Sequence, residues 1–525
     1  MILTLLIVMP LVGALAVLAT PRDDSGLQKG VALGASLVTF LASLPLFFAF
    51  QTYTPDFQFT MDRAWLADLG LRYQVGLDGL SLFLVLLTTF LVPVVLLASW
   101  NAIEERVKLF LIAMLVMESA TIGAFVTTNL FFFYMFWEAT LIPLYLMIGV
   151  FGSGNKIRSA NKFFLFTLAG SLLMLAGIVY LGLEHTRQLG YPSLYVNDLM
   201  RLKLNGEQQN WLFLAFMLAF AIKVPMFPVH TWLPDAHTDA PTAGSVMLAG
   251  VMLKLGTYGV LRFALPLFPA AAAQYAEFFS WLAAIGIVYG ALVAWIQPDI
   301  KRLIAYSSVS HLGFVMLGIF SGTLEGASGA VLQMINHGIS TGALFLCVGV
   351  LYERRHTRLL DEYGGLARRM PIFAFVFMVS MLSSVGLPGL NGFAGEFPIL
   401  AGAFVRAATL ADVTGDTTGF IITTMAVSGV IFGAMYLLWM YRRTMFGPLD
   451  VARNGYLTDM SVREIVVFVP LLAAMFWIGL APDGLYRRIT PTVNVILERA
   501  HQSKPVTQGW PGNRAELVVP PEALP

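Results

Sequence analysis

The chain has 525 residues, 58% of them hydrophobic and only 12% charged, and its formal net charge is +1. A soluble globular chain carries about 25% charged residues, so this composition excludes a large soluble domain and describes a polytopic membrane protein with no electrostatic footprint for nucleic acid. The single cysteine, Cys347, excludes a disulfide framework, a Cys-ligated iron–sulfur cluster and a thiolate zinc site within the chain; it reads as a small packed residue.

In chain order, the first stretch, MILTLLIVMPLVGALAVLAT, has no basic leading region and is long enough to span. It reads as a first membrane helix and not as a cleaved signal. Apolar runs of about 20 residues lie near 2–20, 29–50, 77–99, 108–127, 129–150, 161–183, 210–230, 241–263, 276–296, 302–321, 327–351, 372–404, 419–441 and 464–482. They make about fourteen spans. Span seven carries Pro225 and Pro228. Span twelve is longer than a bilayer requires and contains SSVGLPGLNGFAGEFP, with Pro388 among several glycines, which predicts an interrupted helix.

An odd number of steps separates these two spans, so they enter the membrane in opposite directions. Paired interrupted helices of opposite sense are the pattern of an inverted repeat with an ion path at the break. The bland alternative is that proline is simply commoner in membrane helices. The expected fold is therefore all-α, with two inverted five-helix repeats, each containing an interrupted helix. The expected division is 1–107 (spans one to three), 108–263 (first repeat), 264–445 (second repeat) and 446–525 (last helix and C-terminal tail).

Sidedness follows from the basic residues. Alternate loops carry Arg22, Lys29, Arg106, Lys108, Lys156, Arg158, Lys162, Lys301, Arg302, Arg354, Arg355, Arg358, Arg368, Arg369, Arg442, Arg443, Arg453 and Arg463, whereas the opposite loops are poor in lysine and arginine. The rich side is expected to be cytoplasmic, leaving both termini outside. The basic tail (Arg487, Arg488, Arg499, Lys504, Arg514) argues the other way, but late charges steer topology less than the loops do.

An ionisable side chain inside a span costs about 2.5–3.5 kcal/mol even on the lenient insertion scale. Those far from span ends are few: Glu138 in span five and Lys254 in span eight, Lys223 and Glu396 beside the helix breaks, His311 and His337 in spans ten and eleven, and less persuasively Glu118 in span four. Pro225 has no N–H and displaces the carbonyl of Ala221; Pro228 does the same to Val224. Freed carbonyls in a bilayer need water or a polar partner, so Lys223 is expected beside proton-carrying solvent. If Glu138 is its partner, their separation and hydration would switch the lysine between holding and releasing a proton. Lys254 can accept that proton, and His311 suits the next step because its unperturbed pKa is about 6.5. Glu396 would then face the opposite side. The alternative is a set of inert ion pairs that fix helix packing.

HTWLPDAHTDAPTAGS, with His230, Asp235, His237 and Asp239, matches no compact zinc spacing. It reads as a short loop with a helix cap, Asp239 or Thr242 starting span eight. FGSGNKIRSANK lacks phosphate-loop spacing, and no dinucleotide fingerprint or nucleophile elbow occurs. Nothing in the sequence supports redox chemistry by this chain unaided.

At these residues the sequence resembles a known family. KVPMFPVHTWLPDAHTDAPTAGSVMLAGVMLKLGTYG is very similar to the hallmark segment of the antiporter-like subunits of respiratory complex I. Supporting stretches are VGLDGLSLFL, FFFYMFWEATLIPLYLMIGVFG, DIKRLIAYSSVSHLGF, QMINHGISTGALFL and GLPGLNGFAGEF; together they cover roughly residues 70–450. The M type is favoured, because the L type is longer, with a lateral helix, and the L and N types use lysine in span twelve where this chain has Glu396.

By that resemblance Glu138 and Lys223 are the input pair, Lys254 the central carrier, His311 and His337 part of the connecting axis and Glu396 the exit group. It also implies a bacterial inner membrane and, as partners, other membrane-arm subunits including the related antiporter-like chains. No cofactor is expected in this chain; flavin, iron–sulfur clusters and quinone belong to partner subunits. Related subunits of multisubunit sodium/proton antiporters and membrane-bound hydrogenases are the alternative.

Overall fold

In a bilayer the backbone has no water to bond, so an apolar chain crosses as helix, where each N–H finds a carbonyl internally. The structure, a computed structural model describing residues 1–66 and 71–502, follows that rule. Lys504 and Arg514 of the tail lie outside the described residues. Thirteen helices among the described residues are long and apolar enough to cross a membrane. Spans one to six are Ile2–Ala19, Ser25–Ala49, Gly79–Ala98, Val107–Val126, Leu130–Phe151 and Lys156–Leu189. Spans eight to eleven are Thr242–Leu267, Pro269–Trp295, Ile300–Phe320 and Leu324–Arg355. The last three are Asn391–Thr414, Thr418–Met445 and Val462–Leu480. Span seven stands between the two groups in two pieces, Gly206–Lys223 and Trp232–Asp239.

Span twelve is likewise broken, as Pro371–Val385 and then Asn391–Thr414. Its first piece ends at Gly386, whose φ of +83° is open to glycine at little cost, and Gly389 follows at +90°. Span eight is continuous but contains two π-turns, Leu248–Met252 and Val260–Ala264, with Lys254 between them. Spans eight and eleven are buried throughout their apolar windows, so Lys254 and Arg262 on span eight and His337 on span eleven meet protein on every side.

Three elements differ from the sequence expectation. Between spans two and three lies an antiparallel hairpin, β1 (Gln58–Leu66) and β2 (Leu71–Leu77), so the fold is not purely helical. The stretch 232–239, expected as loop, is a short helix. Asp239 ends that helix and accepts from Ser159 Oγ at 2.6 Å; span eight starts at Thr242 behind Pro241, with no side-chain cap. The tail begins with an amphipathic helix, Asp483–Gln502, which buries Leu485, Ile489, Val493, Ile496 and Leu497 along one face.

The hairpin and this last helix share one end of the bundle. Gln74 of β2 accepts the Thr128 N–H at 3.0 Å. Thr492 Oγ1 accepts the Gly79 N–H at 3.1 Å. Gly79 has to be glycine, because a Cβ there would lie 1.8 Å from the Arg488 carbonyl oxygen. The N-terminus joins the same end, where Tyr73 donates to Thr4 Oγ1 at 3.0 Å. The basic loops gather at the other end: Lys29 Nζ donates to the Trp100 carbonyl at 2.7 Å, and the Ser153 N–H to the Asp239 carbonyl at 2.8 Å.

Candidate functional site

Lys254 is the centre of the buried polar residues. It is 0% exposed, and its Nζ lies 2.7 Å from His337 Nδ1 on span eleven and also contacts the Ala249 carbonyl one turn back. An ammonium there can donate to both acceptors. The His337 and His311 rings stand 5.9 Å apart between centroids. His311 Nδ1 lies 2.8 Å from Glu396 Oε1, and Gln333 Nε2 donates to the same oxygen at 2.9 Å. Four of the expected residues, from spans eight, ten, eleven and twelve, therefore form one run: Lys254, His337, His311, Glu396.

The break in span twelve delivers Glu396 to this run. Asn391 opens the second piece; its carbonyl accepts from Asn336 Nδ2 at 2.7 Å and its Oδ1 from Ser340 Oγ at 3.2 Å. Pro388 lies in the turn between the pieces, where the Leu390 N–H reaches the Leu387 carbonyl at 3.0 Å. His311 and His337 line a cavity of about 10 Å3 with Gln333, Asn336, Ser340 and Ser383. Among the described residues neither histidine Nε2 has a protein hydrogen-bond partner.

Lys223 is the last residue of its helix and is also 0% exposed. It does not pair with Glu138: among the described residues, Lys223 Nζ and Glu138 Oε1 both lack a protein hydrogen-bond partner. The ammonium instead faces the rings of Trp137, at 5.1 Å, and Phe163, at 5.8 Å. Backbone accounting at the break also differs from expectation. The Ala221 carbonyl is not freed, because the Met226 N–H reaches it at 2.8 Å, and Trp232 Nε1 takes the Ile222 carbonyl at 2.9 Å. Pro225 and Pro228 end the helix, and the chain itself repairs much of the ladder.

Glu118 is fully buried with neither carboxylate oxygen bonded to protein, and it does not join the run. Sequence reasoning missed Gln333, Asn336 and Ser340, whose spacing of three to four puts them on one face of span eleven with His337. It also missed His237, treated as a loop residue. That ring lies flat on Phe345 at 4.7 Å, with both nitrogens unpartnered by protein. Asp235 pairs with Lys162 at 2.7 Å and Arg302 at 3.4 Å, tying three segments together at the basic end.

Residues 127–423 match the family described as NADH:quinone oxidoreductase/Mrp antiporter, TM, and residues 32–124 match NADH-ubiquinone oxidoreductase chain 4, amino terminus. The chain is 45% identical over 512 residues to NADH-quinone oxidoreductase subunit M of Rhodobacter capsulatus, covering 95% of this chain and 97% of that one. It is 42% identical to NADH-ubiquinone oxidoreductase chain 4 of Marchantia polymorpha, over 91% and 93% of the two chains. A chain of respiratory complex I from Thermus thermophilus superimposes with a TM-score of 0.85 at 33% identity, over 95% of this chain and all of that one. A chain of an archaeal membrane-bound sulfane sulfur reductase shares the fold at a TM-score of 0.78 and 22% identity.

Proposed function

The chain belongs to the M-type (chain 4) subunits of NADH:quinone oxidoreductase, respiratory complex I, and is a proton-translocating subunit of its membrane arm; from that premise we propose that its proton path runs along Glu138, Lys223, Lys254, His337, His311 and Glu396. The observation that carries this reading is the run from Lys254 to Glu396, in which two close polar contacts flank a pair of histidine rings 5.9 Å apart.

The chemistry of the run is proton exchange between groups of graded basicity. An ammonium at Lys254 points a proton at His337 Nδ1. Imidazole gains and loses a proton for small changes in surroundings. Both histidines line a cavity with room for about one water, which can carry a proton from His337 to His311. His311 Nδ1 then faces the Glu396 carboxylate directly. Lys223, held near Glu138 but unpaired, supplies Lys254 from the break in span seven.

Moving a charge against 100 mV costs about 2.3 kcal/mol, so the path needs an outside driving force. We place that force, with the flavin, iron–sulfur clusters and quinone, in partner subunits. Glu138 is only half-buried within its span. A carboxylate facing lipid is costly, so a neighbouring membrane-arm subunit, one of the related antiporter-like chains, covers it. The basic loops face the cytoplasm of a bacterium and both termini the periplasmic side of its inner membrane. The broken spans seven and twelve support the division into inverted repeats, 108–263 and 264–445.

The test is Lys223→Ala and, separately, Glu138→Ala in assembled complex I, reading NADH-driven proton pumping in membrane vesicles. Each is expected to lower pumping by at least about a hundredfold, the low end of what a positioned acid–base group contributes. Normal pumping from normally assembled complex overturns the path.

A further inference from the structure

Lys223 is a charge without a hydrogen bond. It is 0% exposed, no acceptor among the described residues reaches Nζ, and its surroundings on that side are aromatic. Nζ lies 5.1 Å from the Trp137 ring centroid and 5.8 Å from that of Phe163. The negative face of an aromatic ring attracts a cation within about 6 Å, and more strongly where water is excluded.

Both rings are fixed in place. Trp137 is 1% exposed and packs 5.6 Å from Phe133 and 5.7 Å from Phe220. Phe163 packs 5.3 Å from Trp232, whose Nε1 is tied to the Ile222 carbonyl just before the lysine. Both pieces of broken span seven thus help to build the aromatic wall. A buried tryptophan N–H usually finds an acceptor, yet Trp137 Nε1 has none among the described protein groups. The residue is placed for its ring face and not for its N–H. Its chain neighbour is Glu138, and successive helix positions point about 100° apart. A lysine on the Trp137 face is therefore turned aside from the carboxylate.

We propose that Trp137, backed by Phe163, is a positioning residue that holds the Lys223 ammonium on its ring face and keeps the Lys223–Glu138 pair open. The inference rests on the proton path above. Without the ring face the ammonium falls onto the carboxylate, and the closed pair passes its proton to Lys254 more slowly.

The test replaces Trp137 in assembled complex I by tryptophans carrying increasing numbers of fluorines. Fluorine drains the ring face while the shape and packing stay nearly unchanged. NADH-driven pumping in vesicles is expected to fall stepwise with fluorine number, and Trp137→Leu to cut it by about thirtyfold, as for loss of a desolvated cation–π contact. Pumping that is independent of fluorine number in normally assembled complex overturns the positioning role. Lys223→Ala, run alongside, separates the two readings. If it abolishes pumping while the fluorine series is flat, the path stands and Trp137 is packing only. If it pumps normally, the path falls and the positioning role with it.

Discussion

Glu396 is 5% exposed, accepts from Gln333 Nε2 at 2.9 Å and lies 2.8 Å from His311 Nδ1. These partners fix the orientation of the carboxylate, and hydrogen bonds to a charged group contribute about 1.5–3 kcal/mol each. Glu396→Gln keeps the shape but removes the charge and the exchangeable acid. It is expected to lower NADH-driven pumping by about a hundredfold or more, as for loss of a positioned acid–base group, with assembly retained. Gln333→Leu removes one donor and leaves the carboxylate, so a smaller loss is expected in the same vesicle assay. An effect of Gln333→Leu equal to that of Glu396→Gln would show that Gln333 does more than orient the carboxylate. At this scale the sequence is readable where a residue is costly to bury: Lys223, Lys254 and Glu396 stand out because charge in an apolar span demands a reason. Gln333, Asn336 and Ser340 carry no such cost, and Trp137 sits in a run of aromatic residues that reads as ordinary packing.

The two broken helices are built differently, and their neighbours show why the break alone does not make a path. Span twelve stops at glycines with positive φ and restarts with Asn391 in the polar network. Span seven stops at prolines, and its second piece returns Trp232 to cap the first. Span seven also packs on span eight, whose Gly256 lies against it. A Cβ at Gly256 would stand 2.6 Å from Val224 Cγ2 and 2.9 Å from the Phe220 carbonyl oxygen. Gly256→Ala therefore has to push Val224 and the end of the Lys223 helix away from span eight, an overpacking cost of about 1–3 kcal/mol. Pumping is expected to fall although both lysines remain; unchanged pumping with unchanged assembly would show that this approach does not matter to transfer. Proline and glycine made the breaks legible in the sequence. The π-turns beside Lys254 were not, because their register comes from packing around a wholly buried helix. The helix Asp483–Gln502 was missed because its apolar residues form a stripe and not a run.

Across the whole molecule, the two ends of the bundle separate the charges. Arg487 and Arg499 looked like free positive charge in the tail, but Arg487 pairs with Asp483 at 2.7 Å and Arg499 Nε donates to the Pro266 carbonyl at 2.9 Å. They cap and brace the end that carries the hairpin and the N-terminus. The basic loops at the opposite end remain the orienting signal. Single cysteines check the orientation, since Cys347 is buried and offers no background. Glu105→Cys lies exposed in a basic loop, and Arg63→Cys lies exposed on β1. A membrane-impermeant maleimide is expected to label residue 105 in inside-out vesicles and residue 63 in right-side-out spheroplasts. The reverse pattern would turn the whole subunit over. Glu396 would then lie at the inlet and Glu138 at the outlet, with the same contacts between them.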